Sequence, residues 1–164
     1  MSNEITKAKE LNPAHESLYK GRGMEHLSYV APYLFTFNID DEFGQWYMKN
    51  GWGQSWGIFV HSYCNFKTLV NHFRHFLIIK TEDGEKMYFR FYDPRVFRVF
   101  ISTCNKNQLT EIFCDIENYI CEDENPDFAL KFYIKKDLLE TEKITREQAE
   151  RFQLTEQKRK HWFF

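Results

Sequence analysis

Three arginines and one aspartate lie close together in the segment MYFRFYDPRVFRVF, residues 87–100. Arginines near the start of a helix are typical of phosphate-binding sites, because guanidinium groups and free helix N–H groups both attract anions. Here, however, Asp93 followed by Pro94 predicts a helix that begins at Pro94 with Asp93 as its N-cap. The carboxylate would occupy the helix N-terminus and repel an anion. We therefore interpret the segment as a strand-to-helix joint.

The arginines then have a structural explanation. A strand over Met87–Tyr92 would place Arg90 between Tyr88 and Tyr92 on one face, where its guanidinium can stack on the rings and pair with a carboxylate. Arg95 and Arg98 would flank the buried side of the following helix.

The histidines are the next residues that could do chemistry. His72 and His75 are three apart on a predicted helix and could share a metal, but Cys64 is the only nearby third ligand, and a metal site needs three or four. Cys64 and His61 could form a nucleophile and base, yet no orienting third group can be named. The sequence therefore predicts no catalytic residue, no metal site and no cofactor. The alternative that remains is a small cytosolic hydrolase or nuclease that uses His61, His72 and His75.

The acidic residues give no convergent pair. Asp40, Asp41 and Glu42 form one cluster, and the run CEDENPD at 121–127 forms another. Carboxylate catalysis needs groups from separate elements that meet in a cleft, and both clusters fall in predicted loops. We expect them to be solvated.

The chain ends in KRKHWFF, where basic residues precede aromatic ones. Trp162, Phe163 and Phe164 are candidates for partner contact, because aromatic residues dominate interface hot spots. The same segment could equally dock on the protein's own core.

Composition limits the class of protein. Of 164 residues, 43% are hydrophobic and 18% aromatic, with 17 phenylalanines, so the chain can bury a core and is too apolar for disorder. The formal net charge of −2 gives no general attraction to nucleic acid. The four cysteines form no CxxC pair, and no signal peptide or membrane-spanning apolar run is found. We expect a cytoplasmic protein that binds neither nucleic acid nor membrane.

Periodicity and capping signals predict the order β-α-β-α-β-β-α-α over residues 33–114. The predicted elements are a strand at 33–37, a helix at 42–50 capped by Asp40 or Asp41, a strand at 56–62, a helix after the N-cap Asn65, strands on either side of the Asp83-Gly84 turn, a helix from Pro94 and a helix at 107–114. A strand in FALKFYIKK and a helix that opens at the capping-box pair Thr145 and Gln148 follow. The fold class is α/β: a mixed sheet of about four to six strands flanked by helices, with a C-terminal appendage.

Several segments together resemble one bacterial family, the domain-of-unknown-function family 4123. The segments are SLYKGRG, YVAPYLFTF, WGIFVHS, LVNHFRHFLIIKTEDGEKMYFRFYDPRVFRVF and NQLTEIF, and the resemblance runs from about residue 17 to residue 114. Their order and spacing are more specific than any one of them. We accordingly divide the chain into a polar arm at 1–16, a family core at 17–114 and a variable region at 115–164 that contacts the partner.

The resemblance implies a role without catalysis. Members of this family act as adaptors or chaperones, which bind a type VI secretion effector in the producing bacterium and help to load it onto the VgrG spike, directly or through the effector. The matching signature positions are Arg90, Asp93, Pro94 and Arg95, to which we assign a structural role.

The chain departs from the family pattern at both ends. Many members begin with an apolar strand where this chain is polar, so we expect the sheet edge there to be missing, remodelled or left open for a partner's strand. The variable region should set the choice of effector, and deletion of residues 126–164 is expected to abolish binding while the remainder stays folded.

Overall fold

A computed structural model describes residues 2–20, 31–80, 83–155 and 160–163. The described helices are α1 Ser2–Leu11, α2 Glu42–Asn50, α3 Phe66–Phe76, α4 Pro94–Thr103, α5 Lys106–Phe113 and α6 Arg146–Thr155. The described strands are β1 His15–Ser17, β2 Tyr33–Thr36, β3 Phe59–Ser62, β4 Ile78–Lys80, β5 Lys86–Tyr88, β6 Ile116–Glu122, β7 Phe128–Lys135, β8 Leu138–Thr145 and β9 Lys160–Phe163. The predicted order β-α-β-α-β-β-α-α is confirmed from β2 to α5.

Seven strands form the main sheet, in the order β1-β2-β9-β3-β6-β7-β8, and β4 and β5 form a separate hairpin. The predicted α/β fold with a sheet and flanking helices is confirmed. The described strand pairs are all antiparallel, whereas we expected a mixed sheet. The expected parallel pairing is absent from the described strands because β9 lies between β2 and β3 and runs antiparallel to both. β2 and β3 are therefore parallel to each other but are not neighbours.

Both faces of the sheet are buried, because alternate strand residues enter two different hydrophobic clusters. On β2, Leu34 packs in one cluster, while Tyr33 and Phe35 pack in the other. Helices α3, α4 and α5 contribute buried residues to the first cluster, and α1, α2 and α6 contribute to the second. The result is a sheet between two helical layers.

The predicted helix starts are confirmed by their caps. The side chains of Asp41, Asn65 and Asp93 accept hydrogen bonds from the first-turn N–H groups of α2, α3 and α4. Thr145 and Gln148 form the expected reciprocal pair of hydrogen bonds at α6. These local signals need no tertiary context, which explains why the sequence reveals them.

Two predicted strands are shorter than expected. β3 begins at Phe59 instead of residue 56, and β5 ends at Tyr88 instead of Tyr92. The chain turns after β5, where the N–H of Asp93 donates to the carbonyl of Arg90 at 3.0 Å. The strand-to-helix joint is therefore a turn rather than a continuous strand.

Residues 2–17 form α1 and β1, in place of the polar arm that composition suggested. Ile5 and Ala8 of α1 are buried in the second cluster. β1 pairs with the outer edge of β2, so this edge is neither missing nor open at β2. Of the three alternatives, it is remodelled: a short polar strand occupies the position.

The C-terminal region is integral to the fold. It supplies β6, β7, β8 and β9, and Ala129 and Phe132 of β7 are buried in the two clusters. Deletion of residues 126–164 would expose β6 and remove core side chains, so the remainder is not expected to stay folded.

Candidate partner-binding surface

Asp93 organises the strand-to-helix joint. Its side chain is buried, caps α4 through the N–H of Arg95 at 3.0 Å, and accepts two further hydrogen bonds from the Arg95 guanidinium at 2.9 and 2.7 Å. Arg90 lies on the other side, 3.5 Å from the same carboxylate. Pro94 is the first residue of α4, as predicted. All four signature positions thus meet at one point.

The pKa of Asp93 reflects this arrangement. Burial by itself would raise it, but the hydrogen bonds from Arg95 and the charges of Arg95 and Arg90 outweigh burial and hold the pKa below its ordinary value. Asp93 is therefore a carboxylate at neutral pH, and it occupies the end of α4 at which an anion would have to bind.

A second arginine interaction joins α3 to the N-terminal segment. Arg74 donates to the backbone carbonyls of Ser17 at 2.7 Å and Leu18 at 3.3 Å, and it pairs with the carboxylate of Glu16 at 2.8 Å. The HFR and SLY motifs, which are more than 50 residues apart in sequence, are thereby held together. Both motifs belong to the segments that carry the family resemblance, but the sequence alone predicts no role for Arg74, because its partners are distant in the chain.

Tyr19 follows this segment in the chain and lies near Tyr88, at the end of β5. Its ring lies 5.8 Å from the ring of Tyr88, centroid to centroid. Burial, followed by the influence of Tyr88, raises the pKa of Tyr19, and the nearby Arg90 opposes the shift. Burial likewise raises the pKa of Tyr92; the nearby Tyr19 adds to the shift and the nearby Arg90 opposes it. Tyr19, Tyr88, Arg90 and Tyr92 therefore form one cluster. The expected pairing of Arg90 with a carboxylate is found at Asp93. Stacking of its guanidinium on the tyrosine rings stays a prediction, and Arg90 lies beyond the end of β5 rather than in a strand.

The β4–β5 hairpin extends this cluster with exposed apolar side chains. Ile78 is directly opposite Tyr88 in the antiparallel register, and Ile79 is opposite Met87. Because directly opposed residues share a face, the first pair lies on one face and the second pair on the other. Ile78 and Tyr88 are 48% and 55% exposed, and Ile79 and Met87 are 40% and 51% exposed. Large apolar side chains grouped at the surface mark interaction sites.

The three candidate histidines differ in environment. His61 is completely buried in β3, between β6 and β9. His72 is half-buried with its Nε2 3.1 Å from the carbonyl oxygen of Ile112, and burial lowers its pKa. His75 is exposed on α3. Because His61 is enclosed within the sheet, it cannot reach a substrate at the surface together with the other two.

The candidate nucleophile Cys64 lies next to Asp115, whereas the base predicted for it was His61. Its thiol lies 3.4 Å from a carboxylate oxygen of Asp115, and burial, with further contributions from this aspartate, raises its pKa. A raised pKa leaves less thiolate at neutral pH, which disfavours nucleophilic chemistry. Within residues 2–20, 31–80, 83–155 and 160–163, no group of three His, Cys, Asp or Glu side chains could hold a metal ion.

Two residues of the carboxylate clusters, Asp41 and Glu122, have structural roles. Asp41 caps α2, as predicted. Cys121 and Glu122, which we had expected in a loop, end strand β6, and the buried carboxylate of Glu122 accepts hydrogen bonds from the backbone N–H groups of Gly53 and Ser55. Burial raises the pKa of Glu122 despite these bonds.

The candidate contact residues at the C-terminus lie in or next to β9. Trp162 is opposite Phe35 on β2 and Phe59 on β3, and Phe163 is opposite Leu34. Phe164 lies outside the described residues. The backbone of this segment thus belongs to the protein's own sheet, one of the two possibilities left open by the sequence.

These features define a class of protein: an α/β domain in which separated sequence motifs converge beside an exposed apolar hairpin. The chain belongs to the family described as domain of unknown function (DUF4123), whose model matches residues 1–111. The match includes α1, which the resemblance from residue 17 onward had left out. No curated protein and no solved structure matches the chain. In the part of the chain that the structure describes, no helix has both the length and the apolar character to cross a bilayer.

Proposed function

We propose that this protein is an adaptor that binds a type VI secretion effector in the cytoplasm of the producing bacterium and helps to load it onto the VgrG spike. The proposal rests on the family resemblance of the motifs and on one observation, the exposed apolar hairpin. Ile78, Ile79, Met87 and Tyr88 are each at least 40% exposed and lie within two short paired strands. Exposing such side chains has a cost in water, which a bound partner would remove.

The position of the hairpin supports the same role. β4 follows α3 directly, and β5 leads through the Asp93 joint into α4, so the hairpin extends from two helices that are anchored in the core. Leu77 at the base of the hairpin is buried, and its carbonyl accepts a hydrogen bond from Phe89 at 2.9 Å. A rigid base with an apolar extension suits a surface that must recognise a partner without unfolding.

The proposal is tested by co-expression of the chain with each protein encoded beside it, followed by affinity capture and size-exclusion chromatography. We expect a stable, equimolar complex with a neighbouring toxin-like protein, which becomes soluble only in the presence of the adaptor. A variant with Ile78→Thr, Ile79→Thr, Met87→Thr and Tyr88→Thr keeps β-branched residues in the strands and should fold but lose the complex.

A matched control replaces exposed apolar residues elsewhere. Val99 on α4 and Leu138 at the start of β8 are at least as exposed as the hairpin residues, and their replacement by threonine should leave the complex intact. Failure to capture any neighbour or spike protein with the wild-type chain would contradict the adaptor role. Equal loss of binding in the two variants would show that the hairpin has no special part in it.

A further inference from the structure

One face of the hairpin continues into the tyrosine cluster, while the other does not. Ile78 and Tyr88 share this face, and the ring of Tyr88 lies 5.8 Å from that of Tyr19, which in turn neighbours Tyr92 and Arg90. We call Ile78, Tyr88, Tyr19, Tyr92 and Arg90 the tyrosine face. It combines exposed apolar surface with one cationic group at its end, whereas the Ile79–Met87 face of the hairpin is apolar.

Arg90 supplies the positive charge at the end of the tyrosine face. It shares the single carboxylate of Asp93 with Arg95, and Arg95 also has Glu122 as a nearby carboxylate. Asp93 is nearly enclosed, whereas the side chains of Arg90 and Arg95 are 55% and 63% exposed. Arg95 holds Asp93 through two hydrogen bonds, while Arg90 approaches it only to 3.5 Å. Of the two arginines, Arg90 is therefore better placed to donate hydrogen bonds to a carboxylate of a bound partner.

From this combination we propose that the tyrosine face binds an extended acidic–apolar segment of the client protein. A large apolar side chain of the segment packs on Ile78 and Tyr88, and a carboxylate about two residues further along pairs with Arg90. Tyr88 ends β5, and Arg90 follows two residues later, where the chain begins to turn toward Asp93. A client segment whose apolar side chain and carboxylate are about two residues apart would therefore meet both groups. The inference rests on the proposed adaptor function and identifies the chemistry that the client must present.

Complementary charge favours this occupant over the others. A nucleic acid would bring its phosphates to the joint, where Asp93 already occupies the helix N-terminus. A second copy of the chain would place two cationic tyrosine faces against each other and repel. An acidic–apolar segment complements both the exposed apolar surface and the positive charge of Arg90.

The test measures fluorescence anisotropy of two labelled synthetic peptides with the full chain at low salt. The acidic probe has the sequence Ser-Leu-Thr-Leu-Thr-Glu-Ser-Glu, and its matched partner carries Lys in place of both Glu residues. We expect the acidic probe to bind at least tenfold more tightly than the lysine probe. The combined variant Ile78→Thr with Tyr88→Thr should lose at least tenfold in affinity, and the matched variant Ile79→Thr with Met87→Thr should remain within twofold of wild type.

Reversing the charge at residue 90 tests the role of Arg90 more directly. Arg90→Glu should reverse the preference, so that the lysine probe binds more tightly than the acidic one, while Arg90→Lys should keep the original preference. Circular dichroism and thermal melting of every variant check that the chain is folded. Equal binding of the two probes, no binding of either, or equal loss in both face variants would overturn the proposal. A concentration-dependent dimer that the Ile78–Tyr88 variant abolishes, without peptide binding, would assign the face to a second copy instead.

The outcomes separate this inference from the adaptor role. A client complex that survives replacement of Ile78, Tyr88 and Arg90 would leave the adaptor role intact and remove the tyrosine face from it. Selective binding of the acidic probe without a client among the neighbouring proteins would support the chemistry of the face and contradict the proposed function.

Discussion

Asp93 is the residue on which the joint between the hairpin and α4 depends. It combines a helix cap with pairing to two arginines, and both depend on a carboxylate that is almost excluded from water. A buried carboxylate is tolerated only when its hydrogen bonds are satisfied, and here three of them come from Arg95. Each signature residue thus contributes to the structure of the joint.

Replacement of Asp93 should therefore be costly. Asp93→Ala removes both the cap and the charge pairing, and we expect it to lower the free energy of unfolding by about 2 to 3 kcal/mol. Asp93→Asn keeps a good cap without the charge, and the loss should be about 1 kcal/mol smaller. Urea denaturation at pH 7 measures both values. Wild-type stability of the alanine variant would contradict the role given to Asp93.

The same residue predicts a dependence on pH. Its pKa in the folded chain lies below the value in the unfolded chain, so its contribution to stability is complete above the unfolded pKa of about 3.9 and is lost as the pH falls through the lower folded pKa. The stability difference between wild type and Asp93→Ala should be constant from pH 5 to 7 and decrease below pH 4. A difference that grows toward acid pH would show that Asp93 is not paired.

The four cysteines are free thiols with different accessibility, and they give a direct test of the packing. Burial raises the pKa of Cys104 to about 11 and that of Cys121 further still, whereas Cys114 is exposed. Iodoacetamide at pH 8 should modify Cys114 first and Cys121 only after unfolding, because the thiolate is the reactive form. Mass spectrometry of the digested protein gives the order. Rapid modification of Cys121 in the native chain would contradict the burial of β6.

At the level of elements, two glycines should respond differently to alanine. A Cβ at Gly44 in α2 would lie 2.0 Å from the backbone oxygen of Asn38, which cannot move away as a side chain could. Gly84, in the hairpin turn, has a φ of +80° but open space around it. We expect Gly44→Ala to lower the free energy of unfolding by about 3 kcal/mol or more, and Gly84→Ala by about 1 kcal/mol. Thermal denaturation of both variants measures the difference. Equal effects would show that α2 does not approach residue 38 so closely.

The elements that the sequence reveals are those with local signals. Helices α2, α3 and α4 begin at the caps that the sequence predicts, and the hairpin has its Asp83-Gly84 turn. Strand β6 was missed because it is buried on both faces and contains the polar residues Asn118 and Glu122, so it shows no alternation. β8 was missed because nearly all its residues are exposed, and α1 because few of its side chains reach the core.

The candidate surface was only partly predictable for a related reason. The capping role of Asp93 is encoded in neighbouring residues, so the joint could be identified. The contacts of Arg74 with Ser17 and of Tyr19 with Tyr88 join residues that are far apart in sequence. No local pattern signals such contacts, and only the folded chain brings them together.

At the scale of the whole molecule, the most consequential feature is the position of β9. The family match ends at residue 111, yet the strands β2 and β3 within it are connected in the sheet only through β9, the last described strand of the chain. The variable region therefore completes the sheet of the matched region. An effect of a C-terminal deletion on client binding would thus be inseparable from its effect on folding.

A single substitution in β9 tests this arrangement without removing any residues. His161 is opposite Thr36 on β2 and Val60 on β3, so it lies at the centre of the sheet. Proline there lacks the backbone N–H and is not accommodated in a central strand, whereas alanine keeps the ladder intact. We expect His161→Pro to lower the free energy of unfolding by about 3 kcal/mol, and His161→Ala by about 1 kcal/mol or less. Urea denaturation of both variants, followed by hydrogen exchange at β2 and β3, measures the effect. If the two variants were equally stable and exchange at β2 and β3 were unchanged, β9 would not hold these strands together, and the C-terminal aromatic residues would be available to a partner instead.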